Sequence, residues 1–128
     1  MNTMCSLISE TCQKLGYKVK EVNECIVIVR YQMHFVHICF NQAAPEDCTV
    51  MAAVVQEVSD DERLQVLEHC NELNDNLKHF KYYIMDTGVV ATIEFSFRDA
   101  DNLAFQLERA VRYISNAKAI FEKKMNNQ

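Results

Sequence analysis

The sequence predicts an α+β domain in which an antiparallel sheet of five to six strands packs against three helices. Apolar residues recur every three or four positions in three segments, which is typical of amphipathic helices. Short β-branched and aromatic runs lie between these segments and are typical of strands. The order α-β-β-β(-β)-α-β-β-α favours antiparallel neighbours, so a parallel, doubly wound sheet is not expected.

The length and composition indicate one domain that spans residues 1–128, with a frayed tail at about 124–128. A chain of 128 residues can bury roughly two-thirds of its unfolded surface, which is enough for one core. The chain is 49% hydrophobic and 24% charged, as ordinary globular proteins are. Disorder is therefore not expected outside the tail.

Three apolar stripes define the predicted helices. The first ends at Gly16, where a left-handed residue can close a helix. Its apolar side chains are Met4, Leu7, Ile8, Cys12 and Leu15. Ser59 and Glu62 have the spacing of a capping box and begin the second helix. Its predicted buried stripe contains Leu64, Leu67, Cys70, Leu73 and Leu77. The longest helix follows Asp99 and keeps the same spacing over residues 103–121.

Six segments are predicted to be strands. They cover residues 17–22, 25–31, 34–40, 49–58, 80–85 and 89–97. The fourth could instead begin a helix at Met51. Asp86, Thr87 and Gly88 separate the last two, and we expect a three-residue hairpin loop with Gly88 at positive φ. Three helices cannot cover both faces of such a sheet, and a second subunit is a natural cover for the outer face.

Six cysteines lie too far apart, and too irregularly, for a zinc site or a disulfide framework. They are Cys5, Cys12, Cys25, Cys39, Cys48 and Cys70. Several fall at apolar positions of the predicted elements, where a free thiol acts as a small hydrophobe in a reducing compartment. No segment has the composition of a signal sequence or the length of a membrane span. We therefore expect a cytoplasmic protein without membrane association.

The formal net charge of −5 disfavours nucleic-acid binding, which needs clustered lysines and arginines. The charge is unevenly distributed along the chain. Residues 46–75 contain nine acidic side chains against the single Arg63, whereas residues 105–124 contain five basic side chains against two acidic ones. Two solvated helix faces of opposite sign would explain this, and so would electrostatic complementarity in self-association or partner docking.

The order of elements resembles that of the YbjN family, and the fold is similar to that of the class I type III secretion chaperones. The motifs that carry the resemblance are the segment Leu67-Glu68-His69-Cys70-Asn71, the pair Asn71 and Asn74, and the hairpin that follows. The resemblance covers about residues 4–124. It implies a small, acidic homodimer that binds an extended segment of another protein or takes part in regulation.

The resemblance also implies two surfaces. The second helix would form the dimer seam, near Leu67, Cys70, Leu73 and Leu77. The first helix and the strands would form the client surface, near Leu7, Ile8, Ile28, Val36 and Ile38. Each of these residues could equally belong to the core.

The Asp86-Thr87-Gly88 loop is the one local match to a catalytic motif, because aspartic proteases hold their catalytic Asp in such a loop. Homodimeric proteases of this kind have a similar length. They are nearly all β, however, and Asp-x-Gly is also ordinary hairpin chemistry. The protease is therefore an alternative and not the main hypothesis.

No cofactor or metal is expected from the remaining residues. The four histidines, His34, His37, His69 and His79, do not have the spacing of a ligand set. The chain has two glycines, Gly16 and Gly88, and so lacks a glycine-rich phosphate loop. Asn71 and Asn74 lie inside the second helix, where side-chain bonds to a nearby strand or loop would explain them, as would solvent exposure.

These observations favour a non-enzymatic, homodimeric protein-binding or regulatory module. Its sheet and first helix would hold a segment of another protein, through apolar pockets or strand addition. The alternatives are the protease based on Asp86 and a structural subunit of a larger complex. The partner class is another protein or peptide, with no nucleic acid and no membrane.

Overall fold

A computed structural model of the protein describes residues 3–126, apart from the side chains of residues 53 and 54. The strands are β1 (Lys18–Val22), β2 (Ile26–Tyr31), β3 (His34–Asn41), β4 (Ala44–Glu57), β5 (Lys81–Met85) and β6 (Gly88–Ser96). The helices are α1 (Thr3–Lys14), α2 (Arg63–Asn76), α3 (Ala100–Ile114) and α4 (Ala117–Asn126), and a 3₁₀ turn (Asp60–Glu62) precedes α2. The strands form one antiparallel sheet in the order β1-β2-β3-β4-β6-β5. The predicted α+β class and its antiparallel sheet are confirmed.

One face of the sheet packs against the helices. The register places Val27 opposite Ile38, Ile38 opposite Val50, and Val50 opposite Ile93, so these side chains lie in one row on the same face. All four are buried, in a single core cluster that also contains side chains from each of the four helices. Because all four helices contribute to this cluster, the helix layer lies on one side and leaves the other side of the sheet uncovered.

The predicted closing helix is divided into α3 and α4. Ser115 Oγ donates a hydrogen bond to the carbonyl oxygen of Arg112 at 2.7 Å, and Asn116 Nδ2 donates to the same oxygen at 3.2 Å. Such side chains compete with helical amides for backbone carbonyls and so favour a helix end. The break positions α4 so that the carbonyl of Ala117 accepts a hydrogen bond from the hydroxyl of Tyr82, at 2.9 Å.

The tail predicted at about 124–128 lies only partly within the described residues. Helix α4 continues to Asn126, and residues 127–128 lie outside the described part of the chain. Lys124 forms an ion pair with Glu72 of α2, and His69 Nδ1 lies 2.7 Å from Met125 Sδ. These contacts attach the last turn of α4 to α2.

Two predicted turns form with different geometry. Ser59 Oγ donates to Glu62 Oε1 at 2.8 Å and makes no side-chain bond to a helix amide, so the capping box is only partly realised. In the last hairpin the positive φ, 57°, belongs to Asp86. Gly88 instead pairs with Met85 as the first residue of β6, which makes the connection a two-residue turn. Asp tolerates the left-handed region better than most residues do.

The buried stripe predicted for α2 is rotated in the structure. Val66, His69, Cys70 and Leu73 face the core. Leu64 and Leu67 were predicted to be buried, but 71% and 43% of their surfaces are exposed. Val66, Cys70 and Leu73 also have helical spacing, and Val66 was left out of the predicted stripe.

Asn74 connects α2 to the edge strand β5. Its Oδ1 accepts a hydrogen bond from the amide of Tyr82 at 2.7 Å, and its Nδ2 donates to the carbonyl of Tyr82 at 3.0 Å. The predicted bonding of Asn74 to a neighbouring strand is therefore confirmed, and Asn71 and Asn74 are both exposed. The two bonds occupy backbone groups that an unprotected edge strand would offer to another chain.

Replacing Asn74 with Ala should lower the free energy of unfolding by about 1–3 kcal/mol, because two hydrogen bonds to Tyr82 are lost. Urea denaturation followed by circular dichroism would measure the change. Asn71→Ala is the matched control, since it makes the same change of helix propensity at an exposed position of α2. Equal effects of the two substitutions would contradict a specific role for Asn74.

Candidate functional site

The residues with catalytic or ligand chemistry do not converge. Among residues 3–126, no three His, Cys, Asp or Glu side chains come close enough to hold a metal ion. Asp86 is exposed in its turn, and His79 stacks on Tyr113 with ring centroids 5.8 Å apart. His69 is buried beside Met125. No observation therefore favours the protease alternative.

The cysteines are free thiols, and the buried ones have raised pKa values. Burial, with a smaller contribution from Cys48, raises the pKa of Cys12 to about 12. Burial, followed by the neighbouring Asp47 and Cys39, raises the pKa of Cys48 to about 12. Burial also raises the pKa of Cys70 to about 11. These thiols remain protonated at neutral pH and act as apolar core groups.

The uncovered side of the sheet carries large apolar side chains. We call this surface the open face, and it is defined by Ile28, Phe35, His37, Met51, Tyr83 and Met85. The register supports one common face, since Ile28 pairs with His37, and His37 with Met51. Phe35, Tyr83 and Met85 are exposed, whereas Ile28, His37 and Met51 are half-buried by their neighbours. Apolar groups that form one continuous exposed surface mark interaction sites, whereas single exposed apolar residues are common.

The structure separates the five predicted client-surface residues. Ile8, Val36 and Ile38 are fully buried, because they belong to the face of α1 and the face of β3 that meet in the core. The prediction that these three lie on a surface is therefore corrected. Leu7 is half-buried and lines a cavity of about 160 Å³ between α1 and α3, and Ile28 lies on the open face. These two remain candidates for partner contact.

A larger cavity lies at the end of the sheet that contains the β2–β3 turn. We call it the hairpin-end cavity, and its principal lining residues are Met33, Val36, Ala52, Val55, Ile114 and Lys118. Its volume is about 320 Å³. The cavity could not be predicted from sequence, because its walls come from three separate segments. The exposed apolar Met33 in a turn was the one available signal.

Of the predicted dimer-seam residues, only Leu67 is well exposed. Cys70 and Leu73 pack in the core, and Leu77 is half-buried. Leu64, one turn before Leu67, is exposed as well. We call these two leucines the outer face of α2.

The acidic segment 46–75 and the basic segment 105–124 contact each other within one chain. Lys124 of α4 forms an ion pair with Glu72 of α2, and this lysine lowers the pKa of the Glu72 carboxyl. At least one complementary pair is therefore satisfied without a partner. No helix in the described range 3–126 is both long and apolar enough to cross a membrane.

Comparison with known proteins identifies related sequences and folds. The family model YbjN, described as a "putative bacterial sensory transduction regulator", matches residues 5–120. No curated protein sequence matches the chain. The crystal structure of YbjN from E. coli, described as "a putative transcription regulator", is similar with a TM-score of 0.67 and 13% identity, over 95% of this chain and 92% of that chain.

A second solved structure has a similar fold. It is the type III secretion chaperone SycH from Yersinia pestis, in complex with a stable fragment of YscM2. The TM-score is 0.62 at 15% identity, over 93% of this chain and 99% of that chain. At these identities the two structures show the shared fold and nothing further. The family model and the two solved structures confirm the predicted resemblance to the YbjN family and to the fold of the type III secretion chaperones.

The free energy of unfolding should fall as the pH rises above about 9. In the unfolded chain the Cys12 thiol loses its proton near its usual pKa of 9.0. In the folded chain burial raises this pKa to about 12, so the thiol keeps its proton to a higher pH. The unfolded state then binds fewer protons, so stability is complete below pH 9 and is lost above it. Urea midpoints measured across this range would test the sign.

Cys12→Ala should show a shallower loss of stability above pH 9 than the wild type does. Cys25→Ala is the control, because it removes a thiol that is only half-buried. The explanation would be wrong if the wild type and Cys12→Ala lost stability in parallel.

Proposed function

This chain belongs to the YbjN family, and from that premise we propose that it is a non-enzymatic protein-binding or regulatory module that acts as a homodimer. One observation carries the proposal. A whole side of the six-stranded sheet lies uncovered by helices and presents Phe35, Tyr83 and Met85 to solvent. The fold similarity supports a protein as the partner, since the chaperone SycH holds a fragment of YscM2.

The open face, and not an edge of the sheet, is the proposed contact surface. At one edge, Asn74 occupies the backbone groups of Tyr82 on β5. At the other edge, β1 is only five residues long, carries Lys18 and Lys20, and has an irregular register. Short, charged and irregular edge strands resist the addition of another strand. We therefore do not expect a partner to add a strand to either edge of the sheet.

The physical gain comes from removing apolar side chains from water. Complete burial of a side chain as large as Phe or Met contributes about 1.5–3 kcal/mol. Phe35 is 54% exposed in the isolated chain, so a partner that covers it recovers a substantial part of that amount. The ion pair of Lys81 and Glu94 lies on the same side of the sheet, and protein–protein interfaces combine apolar and polar groups in this way.

The outer face of α2 is the proposed dimer seam. Leu64 and Leu67 are its apolar centre. Glu68 lies one turn after Leu64 on α2, and Asp61 lies in the 3₁₀ turn before the helix, so both would form a charged rim. This arrangement leaves the open face of each subunit available to a partner protein. We place the protein in the cytoplasm, where free thiols such as Cys25 and Cys39 remain reduced.

Ile28→Asp on the open face should weaken binding of the partner protein, because it puts a charge at an apolar position of the contact. Tagged wild type and variant would be used to capture proteins from the native lysate. Any retained protein would then be purified and its dissociation constant measured for each form. We expect the affinity to fall at least about tenfold.

Phe105→Asp is the matched control for this experiment. Phe105 is 62% exposed on α3, so this variant also replaces an exposed apolar residue with Asp, but away from the open face. Equal losses with both variants, or a purified partner that binds Ile28→Asp as well as the wild type, would refute the proposed surface. Circular dichroism would verify that each variant is folded.

The wild-type chain should sediment as a dimer, and the double variant Leu64→Asp, Leu67→Asp should sediment as a monomer. Two carboxylates at the seam would face two more across the dimer axis, and such like charges repel. Sedimentation equilibrium would measure the mass of each form, with Phe105→Asp as the control. A wild-type monomer at micromolar concentration, or a double variant that remains dimeric, would contradict the seam.

A further inference from the structure

The hairpin-end cavity arises because β4 extends past the end of β3. The pairing of β3 with β4 ends at Val36 and Ala52, while β4 continues to Glu57 alongside β6. The two strands therefore separate at the β2–β3 turn. The junction between α3 and α4 lies over this separation, and Ile114 and Lys118 contribute to the cavity from there.

The floor of the cavity is apolar. It is formed by Val36, Val55 and Ile114, each of them at most 2% exposed. Met33 lies at the mouth and is 83% exposed. The space is therefore a surface pocket with an apolar floor that opens to solvent beside Met33.

The volume limits what the cavity can hold. An enclosed apolar cavity of about 150 Å³ binds one benzene molecule, and this space is about 320 Å³ and half-open. It also lies at the lower end of the range of roughly 300–1,000 Å³ for small-molecule pockets. One or two large apolar side chains would fill it, whereas a nucleotide or other large cofactor would not fit.

The charge around the cavity is positive in an acidic protein. Lys118 is the one charged side chain among the described residues that line it, and none of those residues carries a carboxylate. Arg30 donates from Nε to the carbonyl oxygen of Gln32 at 3.2 Å, which keeps a second cationic side chain at the same turn. The whole chain has a net charge of −5, so this local sign is a departure from the average.

We infer that the hairpin-end cavity is a second peptide-binding site, which takes a large apolar side chain of a partner protein while an adjacent carboxylate of that partner pairs with Lys118. The inference rests on the proposed function only in assigning a protein as partner. The floor of the site lies on the helix side of the sheet, opposite the open face, and Phe35 at the edge of the cavity is the residue that the two surfaces share. The volume of the cavity and the charge of Lys118 favour a short acidic segment with a bulky apolar residue as the occupant.

The test uses the full chain and three dye-labelled eight-residue peptides. The first carries a Phe-Leu pair between two aspartates, the second has lysines in place of the aspartates, and the third has serines in place of Phe-Leu. Fluorescence anisotropy would measure affinity, and amide chemical shifts would locate the site. We expect the first peptide to bind, with shifts at residues 33–36 and 114–118, and the other two to bind at least about tenfold more weakly.

Two rim variants identify the contacts. Met33→Asp should weaken binding of the first peptide about tenfold, since it puts a carboxylate at the mouth. Lys118→Glu should weaken it about fivefold and should strengthen binding of the lysine peptide. Lys123→Glu is the matched control on α4, and Phe105→Asp controls for loss of an exposed apolar group. Both controls should leave the affinities unchanged.

Several results would overturn the inference. They are no binding of the first peptide at about 1 mM, equal weakening by Lys118→Glu and Lys123→Glu, or shifts confined to open-face residues other than Phe35. Saturable binding of octanoate in the absence of peptide binding would reassign the cavity to small amphiphiles. Ile28→Asp separates the two proposals, because it should leave peptide binding intact even though it weakens partner capture.

Discussion

The burial of every second side chain of the strands is the constraint on which the rest of the structure depends. One row runs from Val27 through Ile38 and Val50 to Ile93, and all four helices pack on this row and its neighbours. A slip of one residue in any strand pairing would turn its apolar set toward solvent. Because the helices occupy a single side, the other side of the sheet must be covered by something else or remain exposed. The open face is thus a direct consequence of the architecture.

The two proposed binding surfaces differ in physical character. The open face is broad, and its exposed groups belong to strands that are paired within the sheet, so little backbone entropy is lost when a partner covers them. The hairpin-end cavity is small and bordered by Lys118, which suits the selection of one side chain with a nearby charge. A broad apolar contact contributes affinity, and a shaped pocket with one charge contributes specificity. Together they would allow one small domain to recognise a long segment selectively.

Much of the fold follows from local sequence patterns. Short β-branched runs predicted all six strands, and the helical spacing of Leu103, Leu107 and Ile114 predicted α3. Asn74 could be anticipated as a link to a strand, because Asn needs a reason to lie in a helix. The break after Ile114 was missed, since the apolar spacing continues through it and only Ser115 and Asn116 signal the end.

The functional surfaces were harder to predict than the fold. A buried and an exposed Leu look alike in sequence, so the orientation of α2, with Leu67 outside and Cys70 inside, depends on how the helix docks on β5. Val36 was expected at a surface and instead forms the floor of a cavity. The cavity exists because β4 extends beyond β3, and the relative lengths of paired strands are set by the tertiary structure.

The order of the strands also constrains how the chain can fold during synthesis. The first four strands are neighbours in sequence and can pair as soon as each one emerges. Strand β4 must then wait for β6, and residues 58–87 have to be made before that partner appears. Throughout this interval the longest strand of the sheet has one unpaired side, which makes the nascent chain susceptible to mispairing. Helix α2 is produced during the same interval. The growing chain therefore carries a half-finished sheet until β6 has been made.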